Sequence, residues 1–524
     1  MIHPILRISL TLCLVASALV VGGQPVNPNP AEHVVLVVWD GMRPDFVAPQ
    51  FCPNLYSLAT NGVFFRNHHP AFISSTEVNG AALATGSNPG RNGILANTEY
   101  GPEFSYLSSY ATEGIDAVRR GDSMTGGHYI LTPTVAEILH DAGIATIMAG
   151  SKPVAQFHDR SRVKTTSAQK QSVLLYEGKT IPRDLVESLK KVNDDKVFPP
   201  TITQPNTPQD NWTTRALTKS LWKGGVPKYT LLWLSDPDKS QHETGVGSPT
   251  SLEGIESSDK NLGEVIKALK DKGVWEKTDL MLVSDHGFST INRTPNVQGI
   301  LKKAGFSAFT KLEDPERGDV MVVGLGGSAL LYVVERDDSV TRRLVEFLQT
   351  TDFVGDIFCR LPVEGTFPFE SVGYATTTNA PDIILSLRWS AETNAYGAPG
   401  LMTTVGGTAG KGSHASLSRF DMNNTLVAHG PDFKRGIVSR IPSGNVDVGP
   451  TILWLLGIKP AETMDGRVLH EGLSRSIAPM PSADVKTLDA ERDIGLFHWH
   501  QYLKFSTVGS TRYFDEGNGA ASHR

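Results

Sequence analysis

Three aspartates and three histidines fall in four short clusters along this chain: Asp40, Asp238 with His242, the adjacent pair Asp285-His286, and His414. Carboxylates and imidazoles form a hard-to-borderline ligand set that suits Zn²⁺, and Mn²⁺ is compatible with it. Six protein ligands exceed what one tetrahedral ion needs. Two ions roughly 3.5–4 Å apart, sharing ligands and a substrate oxygen, would use them all. Each cluster alone has a plainer reading: a helix cap at Asp40, a solvated loop residue at His242, a polar turn at Asp285-His286 and at His414. Their common position argues otherwise. Leu280 to Val283 is a short apolar run with Gly273 before it and Gly287 after it, the look of a strand buried on both faces of a parallel sheet. It ends in Asp285-His286, and ligands collect at the carboxyl ends of strands in open α/β sheets.

A nucleophile is offered by Ser74-Ser75-Thr76, which precedes a small-residue run that suits a helix. Thr76 as N-cap is an ordinary structural assignment. The same place is also an anion site, because free backbone N–H groups and the helix dipole attract phosphate. Asn79, one turn on, is placed to add a side-chain N–H to a phosphoryl oxygen. A threonine hydroxyl is a poor nucleophile at neutral pH, and coordination to Zn²⁺ would lower its pKa without a general base.

The elements that must hold these residues read as an α/β chain. His33-Val-Val-Leu-Val-Val-Trp39 is a first buried strand leading into Asp40-Gly41, Pro53 to Ala59 a short helix, and Val63 to Phe65 a second strand. A helix over Pro133 to Ala142, a strand over Ile144 to Met148 and a strand over Tyr229 to Leu234 continue the βαβ rhythm. Before the Asp285 strand, Leu262, Val265, Ile266 and Leu269 share one helix face. The core is expected in three parts, 33–154, 228–294 and 406–475. Residues 155–227 lack the rhythm and read as an insertion or lid, 295–405 as a second, α+β insertion, and 476–524 as an extension with a hairpin around Gly509. Val448 to Leu456 reads as a late core helix.

Composition bounds the function. A chain of 524 residues exceeds one compact core, and 40% hydrophobic with 20% charged residues is ordinary for a globular protein. A net charge of -6 gives no basic footprint for binding a nucleic-acid duplex. Three cysteines, one of them Cys13, rule out a disulfide framework, and Cys52 and Cys359 are left to pair or stay free. Residues 1–24 read as a cleaved signal peptide: Arg7, then an apolar run of about 14 residues, with Ala16-Ser17-Ala18 as a cleavage site. That run is short of the roughly 20 residues a bilayer span needs. Residues 25–32 form a Pro/Asn-rich linker. An extracytoplasmic enzyme with no membrane span after cleavage is the expectation.

In this order along the chain, Val37-Val-Trp-Asp40-Gly, Thr76-Glu-Val-Asn79 with Leu83-Ala-Thr-Gly86, Asp236-Pro-Asp238 with His242, Ser284-Asp285-His286-Gly287 and Gly412-Ser-His414 resemble the alkaline phosphatase superfamily. Within it the sequence is similar to the type I phosphodiesterase/nucleotide pyrophosphatase family. Gly430-Pro-Asp-Phe433 and Met464-Asp-Gly-Arg467 add weaker echoes. The resemblance implies a central, mostly parallel sheet sandwiched by helices, with lids inserted. It implies one zinc on Asp238, His242 and His414 and another on Asp40, Thr76, Asp285 and His286. Thr76 would form a phosphothreonine intermediate while Asn79 and the Thr76 N–H hold a non-bridging oxygen.

Three positions depart from the family pattern. Glu77-Val78 stands where many members have Phe-Pro, Gly80 where they have His, and Asp236 where they have Glu. These leave every ligand in place and bear on the shape of the substrate pocket. Lys152, in Gly150-Ser-Lys-Pro153, follows a strand and is either a solvated loop lysine or a phosphate contact; as a contact it would favour a doubly charged monoester. A small phosphate ester is the expected partner. Phosphomonoesterase and phosphonate hydrolase readings use the same metals. Formylglycine-dependent sulfate chemistry is disfavoured because Ser74 to Val78 lacks the Pro and Arg of that maturation motif. An extracytoplasmic binding protein on a decayed hydrolase scaffold would have been free to lose ligands that are all present.

Overall fold

The computed structural model describes residues 31–160, 164–377 and 379–524. The expected signal peptide lies outside the described residues, as does all but the last part of the linker. A nine-stranded sheet forms the centre, built in chain order from β1 (His33–Trp39), β2 (Val63–Phe65), β3 (Thr146–Gly150), β4 (Val173–Tyr176), β5 (Lys179–Ile181), β6 (Tyr229–Leu234), β7 (Thr278–Val283), β8 (Leu426–His429) and β9 (Ile437–Ser439). Its spatial order is β9-β2-β8-β7-β1-β6-β3-β4-β5.

Residues Val34 to Trp39 of β1 are fully buried, and they alternate between two cores. Val34, Leu36 and Val38 pack into one, and Val35, Val37 and Trp39 into the other. A strand whose side chains alternate faces can be apolar throughout only where both faces are covered, which explains the continuous hydrophobic run. Helices α1 (Pro53–Asn61) and α2 (Thr76–Thr85) lie on opposite faces, α1 contributing Leu55 and Leu58 to one core and α2 Leu83 to the other. On the α1 face, α3 (Pro249–Asp271) buries Leu262, Val265 and Leu269, with Ile266 packed beside them.

The pairings from β7 through β1, β6 and β3 to β4 are all parallel. The C-terminal ends of β7, β1, β6 and β3 therefore line one sheet edge in consecutive order, carrying Asp285-His286, Asp40, Asp236-Pro-Asp238 and Ser151-Lys152. Antiparallel β5 and β8 sit outside this block. The stretch expected as the first insertion contributes β4 and β5 to the edge of the same sheet. Their short runs, Val173–Tyr176 and Lys179–Ile181, lacked an adjoining long helix that would have marked them as core. The second expected insertion holds a five-stranded sheet. The C-terminal hairpin extends to three long antiparallel strands, Asp484–Ile494, Phe497–Val508 and Thr511–His523. Cys52 and Cys359 are buried and free. Among the described residues no helix is long and apolar enough to cross a membrane.

Candidate metal centre and nucleophile

Gly41 follows Asp40 with φ at 73°, a left-handed conformation that turns the chain sharply away from β1. A Cβ there would lie 2.9 Å from the Phe288 ring and 3.2 Å from the Asp238 backbone, so the missing side chain also lets two ligand loops meet. Asp238 opens the helix Asp238–Thr244, which places His242 one turn on, its Nε2 3.2 Å from Asp238 Oδ1. His414 follows the two-residue strand Gly412–Ser413, which pairs with Ser289–Arg293 just beyond His286.

These elements bring the predicted ligands together. One atom each of Asp40, Asp285 and His286 lie within 4.8 Å of one another, and the same holds for Asp238, His286 and His414. The His286 and His414 rings stack at 3.7 Å between centroids. His242 stands on the rim, its side chain 35% exposed and its ring 5.1 Å from that of His414. His286 thus belongs to both tight groups, and His242 reaches the second through Asp238.

All three histidines point the same nitrogen inward. Nδ1 of His242 donates to the Gly412 carbonyl at 3.1 Å, that of His286 to Gly287 at 2.9 Å, and that of His414 to Ser74 at 2.9 Å. Each Nδ1–H is used, so each Nε2 keeps its lone pair for the site. Burial holds His286 below the usual imidazole pKa and His414 well below it, which keeps both neutral. On the carboxylates, Asp40 Oδ1, Asp238 Oδ1 and Asp285 Oδ2 are buried without a hydrogen-bond partner. Orphaned carboxylate oxygens facing neutral imidazole nitrogens are the donor set of a divalent metal, and the site fits one.

Lys152 is no solvated loop lysine. Its ammonium lies 2.7 Å from Asp40 Oδ2, 3.3 Å from Asp238 Oδ2 and 3.4 Å from Thr76 Oγ1. Burial works against that charge, but Asp238 and Asp40 hold its pKa well above the lysine value. Burial likewise resists ionisation of Asp238, yet Lys152 and His242 hold its carboxyl well below the usual range. For Asp285, burial and the neighbouring Asp40 push the carboxyl well up. One lysine leaves the three-aspartate cluster short of positive charge.

Thr76 is the first residue of α2, and the N-cap is Ser75, one position earlier than expected. The shift puts the Thr76 hydroxyl inside the site, 3.3 Å from His286 Nε2. Gly80 seats α2 against the turn after Lys152: a Cβ there would sit 2.3 Å from Val154 Cγ2, which leaves no room for the family's His. Glu77 is buried, and burial together with Glu113 pushes its carboxyl well above the ordinary value.

Asn79 does not match the expectation of an anion contact. Its side-chain N–H groups donate to the carbonyls of Ala71 at 3.2 Å, Ile73 at 3.4 Å and Ser75 at 3.1 Å, and its Oδ1 accepts from Ala71 N–H at 2.7 Å and from Asn445 at 3.0 Å. A side chain in the first turn leans back over the helix N-terminus, so this one braces the loop that carries Thr76. The asparagine beside the start of α2 is Asn97, which sequence reasoning missed. Its Oδ1 accepts the N–H of Glu77 at 3.1 Å, and its amide nitrogen has no protein partner among the described residues. No local pattern around Ile94-Leu-Ala-Asn-Thr98 signals this.

Beneath the site, Asp210 ties the loop that carries Lys152 to the loop that carries Asp238. It accepts from Ser151 Oγ at 2.5 Å, Ser235 N–H at 2.8 Å, Ser235 Oγ at 3.0 Å and Asp236 N–H at 3.2 Å. Asp236 in turn accepts from Asn206 N–H at 2.6 Å and from Ser240 N–H at 3.0 Å.

The sequence profile of the family described as type I phosphodiesterase / nucleotide pyrophosphatase matches residues 34–397. Ectonucleotide pyrophosphatase/phosphodiesterase family member 7 of Rattus norvegicus is 24% identical over 288 residues, 54% of this chain and 56% of that protein. Venom phosphodiesterase 2 of Crotalus adamanteus is 23% identical over 263 residues, 49% of this chain and 27% of its own length. The chain thus spans about half of the first relative and about a quarter of the second. Bis(5'-adenosyl)-triphosphatase enpp4 of Xenopus laevis is 22% identical over 465 residues, 86% of this chain and 83% of that protein. The structure of human ectonucleotide pyrophosphatase / phosphodiesterase 5 superposes with a TM-score of 0.59 at 18% identity, covering 84% of this chain and all of that one. The inactive murine counterpart in complex with AMP gives 0.57 at 17%, covering 82% and 96%. The structures share the α/β architecture with its large, mostly parallel sheet. With the profile matched over more than half its length, the chain belongs to the type I phosphodiesterase / nucleotide pyrophosphatase family.

Proposed function

We propose that this protein is a metal-dependent phosphodiesterase/nucleotide pyrophosphatase that acts outside the cytoplasm on small phosphate esters through a covalent intermediate on Thr76. The observation that carries the reading is the Thr76 hydroxyl at a helix N-terminus, 3.3 Å from the His286 nitrogen shared by two ligand groups with orphaned carboxylate oxygens. Two Zn²⁺, one on Asp238, His242 and His414 and the other on Asp40, Thr76, Asp285 and His286, would lower the hydroxyl pKa and neutralise charge on the phosphoryl group; Mn²⁺ suits the same ligands.

The chain's own groups do the rest. Thr76 Oγ attacks phosphorus, the bond to the leaving oxygen breaks, and the leaving alcohol takes up a proton. Thr76 then carries the phosphoryl group with its remaining substituent until water attacks phosphorus, the Oγ–P bond breaks, Oγ regains a proton and a monoester is released. The Thr76 N–H has no intrahelical partner by its position in α2, and with the Asn97 amide it faces a non-bridging oxygen. Lys152 holds Asp40 and Asp238 in register.

The ammonium of Lys152, 3.4 Å from Thr76 Oγ1, also favours a second reading, a phosphomonoesterase or phosphonate hydrolase that uses this cation on a dianion. Hydrolysis of bis-p-nitrophenyl phosphate against p-nitrophenyl phosphate, on wild type, Thr76→Ala and Lys152→Ala with zinc added, separates the two. The proposal expects a diester preference and a loss of roughly 10³-fold or more in kcat for Thr76→Ala. A monoester preference that falls with Lys152→Ala supports the second reading. Diester turnover that survives loss of Thr76 contradicts the mechanism.

A further inference from the structure

Two cavities border the candidate metal centre, one on the Lys152 side and one on the His242 side. One, of about 600 Å³, is lined by Lys152 and Ser235 next to the ligands and by Val197, Phe198 and Ile202 farther out. The other, of about 580 Å³, is lined by His242, Gly406, Gly412 and Ser413. Ile202 and Lys239 line both. A phosphodiester carries two substituents, and a centre bordered by two cavities that join at Ile202 and Lys239 has a place for each.

The first cavity has a distinct chemistry. Val197 is 59% and Ile202 46% exposed, large apolar side chains left in solvent beside the site. Phe198 stands edge-on to Trp212 at 5.4 Å between centroids. This wall is fixed to the catalytic loops: Gln209 Nε2 donates to the Pro199 carbonyl at 2.8 Å, and Asn206 N–H to Asp236 at 2.6 Å. Lysines outnumber acids along the lining, with Lys152, Lys179, Lys190 and Lys239 against Glu113 and Glu177. Lys179 is answered by Glu177, Lys190 by Glu187, and Lys152 by the two metal-site aspartates. Among the described residues Lys239 has only a distant ion pair, 3.9 Å from Asp238 Oδ2. Asp238 is already closer to Lys152, and as a metal ligand it would be committed elsewhere.

We propose that this cavity seats a diester substituent that is flat or apolar and carries an anionic group of its own, which Lys239 receives at the junction. The inference rests on the phosphodiesterase reading and adds a substrate class to it. Lys239 is then a specificity-determining residue.

The test uses the zinc-loaded full chain and three p-nitrophenyl phosphodiesters whose second substituent is methyl, benzyl or 4-carboxybenzyl. In wild type, kcat/KM should rise from methyl to benzyl and again, by about tenfold, from benzyl to 4-carboxybenzyl. Lys239→Gln should bring the carboxybenzyl-to-benzyl ratio to about one, and Lys239→Arg should keep it. Phe198→Ala should lower the benzyl-to-methyl ratio while the carboxylate preference persists. Equal rates on benzyl and carboxybenzyl esters, or a ratio unmoved by Lys239→Gln, overturns the inference and leaves the phosphodiesterase reading standing. No turnover of any of the three esters overturns both.

Discussion

Three carboxylates and three imidazoles around a single lysine give the centre its defining property, a surplus of negative charge buried where water cannot screen it. Each orphaned oxygen in such a place costs free energy until a cation arrives. Titration elsewhere in the fold gives a separate residue-scale prediction. Burial pushes the His158 pKa down to about 3, its Nε2 has no partner, and its ring stands edge-on to Trp233. An imidazole whose folded pKa is depressed from 6.5 contributes stability that is present above 6.5 and is lost as pH falls toward 3. Across that window the loss is about 1.4 kcal/mol per pH unit for this one residue. Urea unfolding of wild type and His158→Phe at several pH values should show the variant's deficit shrinking, or reversing, as the solution is acidified. A difference between the two that is constant with pH would refute this. At this scale Asp40 and Asp285 were conspicuous because each closely follows an apolar strand run, while His242 and His414 were marked only by residue type and order. Asn97 was not legible, since its link to Glu77 spans 20 residues of chain. The position of Asn79 in the helix turn carries no information about the carbonyls of Ala71, Ile73 and Ser75 that its amide meets.

Among the elements, the helix Thr207–Arg215 matters beyond its length, because its Asp210 joins the loop after β3 to the loop after β6. Replacing it by alanine would strand buried donors at about 1–3 kcal/mol each and release both Lys152 and Asp238. Asp210→Ala should therefore lower kcat by roughly tenfold or more and weaken zinc retention in a chelator titration, and Asp210→Glu should restore part of both. A variant that loses thermal stability alone, with kcat and metal affinity intact, would make Asp210 merely structural. The strands at the sheet centre were readable from their unbroken apolar runs, since a strand buried on both faces cannot alternate. The runs Val173–Tyr176 and Lys179–Ile181 were not: they are short, joined by Glu177-Gly178, and take their place in the sheet only from pairing with β3. Thr76 as first helical residue rather than cap was a one-position question that spacing does not answer.

For the whole molecule, the consecutive parallel block β7-β1-β6-β3 is what gathers residues as distant as Asp40 and Asp285 onto one edge, and His414 arrives from a different, smaller sheet. Metal binding to this convergence should stabilise the entire fold. Zinc at 100 times its dissociation constant adds about 2.7 kcal/mol, so removing it with a chelator should lower the unfolding temperature, and readdition should restore it. Indifference to chelation would contradict a resident metal. The α/β class was legible because its βαβ rhythm is a local pattern. The C-terminal three-stranded sheet was read only as a hairpin because Asp484–Ile494 is mostly exposed and lacks an apolar face.

The most direct test of the central claim is acid quenching of the zinc-loaded protein during turnover of bis-p-nitrophenyl phosphate, followed by mass spectrometry of the peptide containing Thr76. A p-nitrophenyl phosphoryl group is expected on Thr76 at the first turnover, absent from Thr76→Ala. Full turnover with no adduct on Thr76 and undiminished activity in the alanine variant would contradict it.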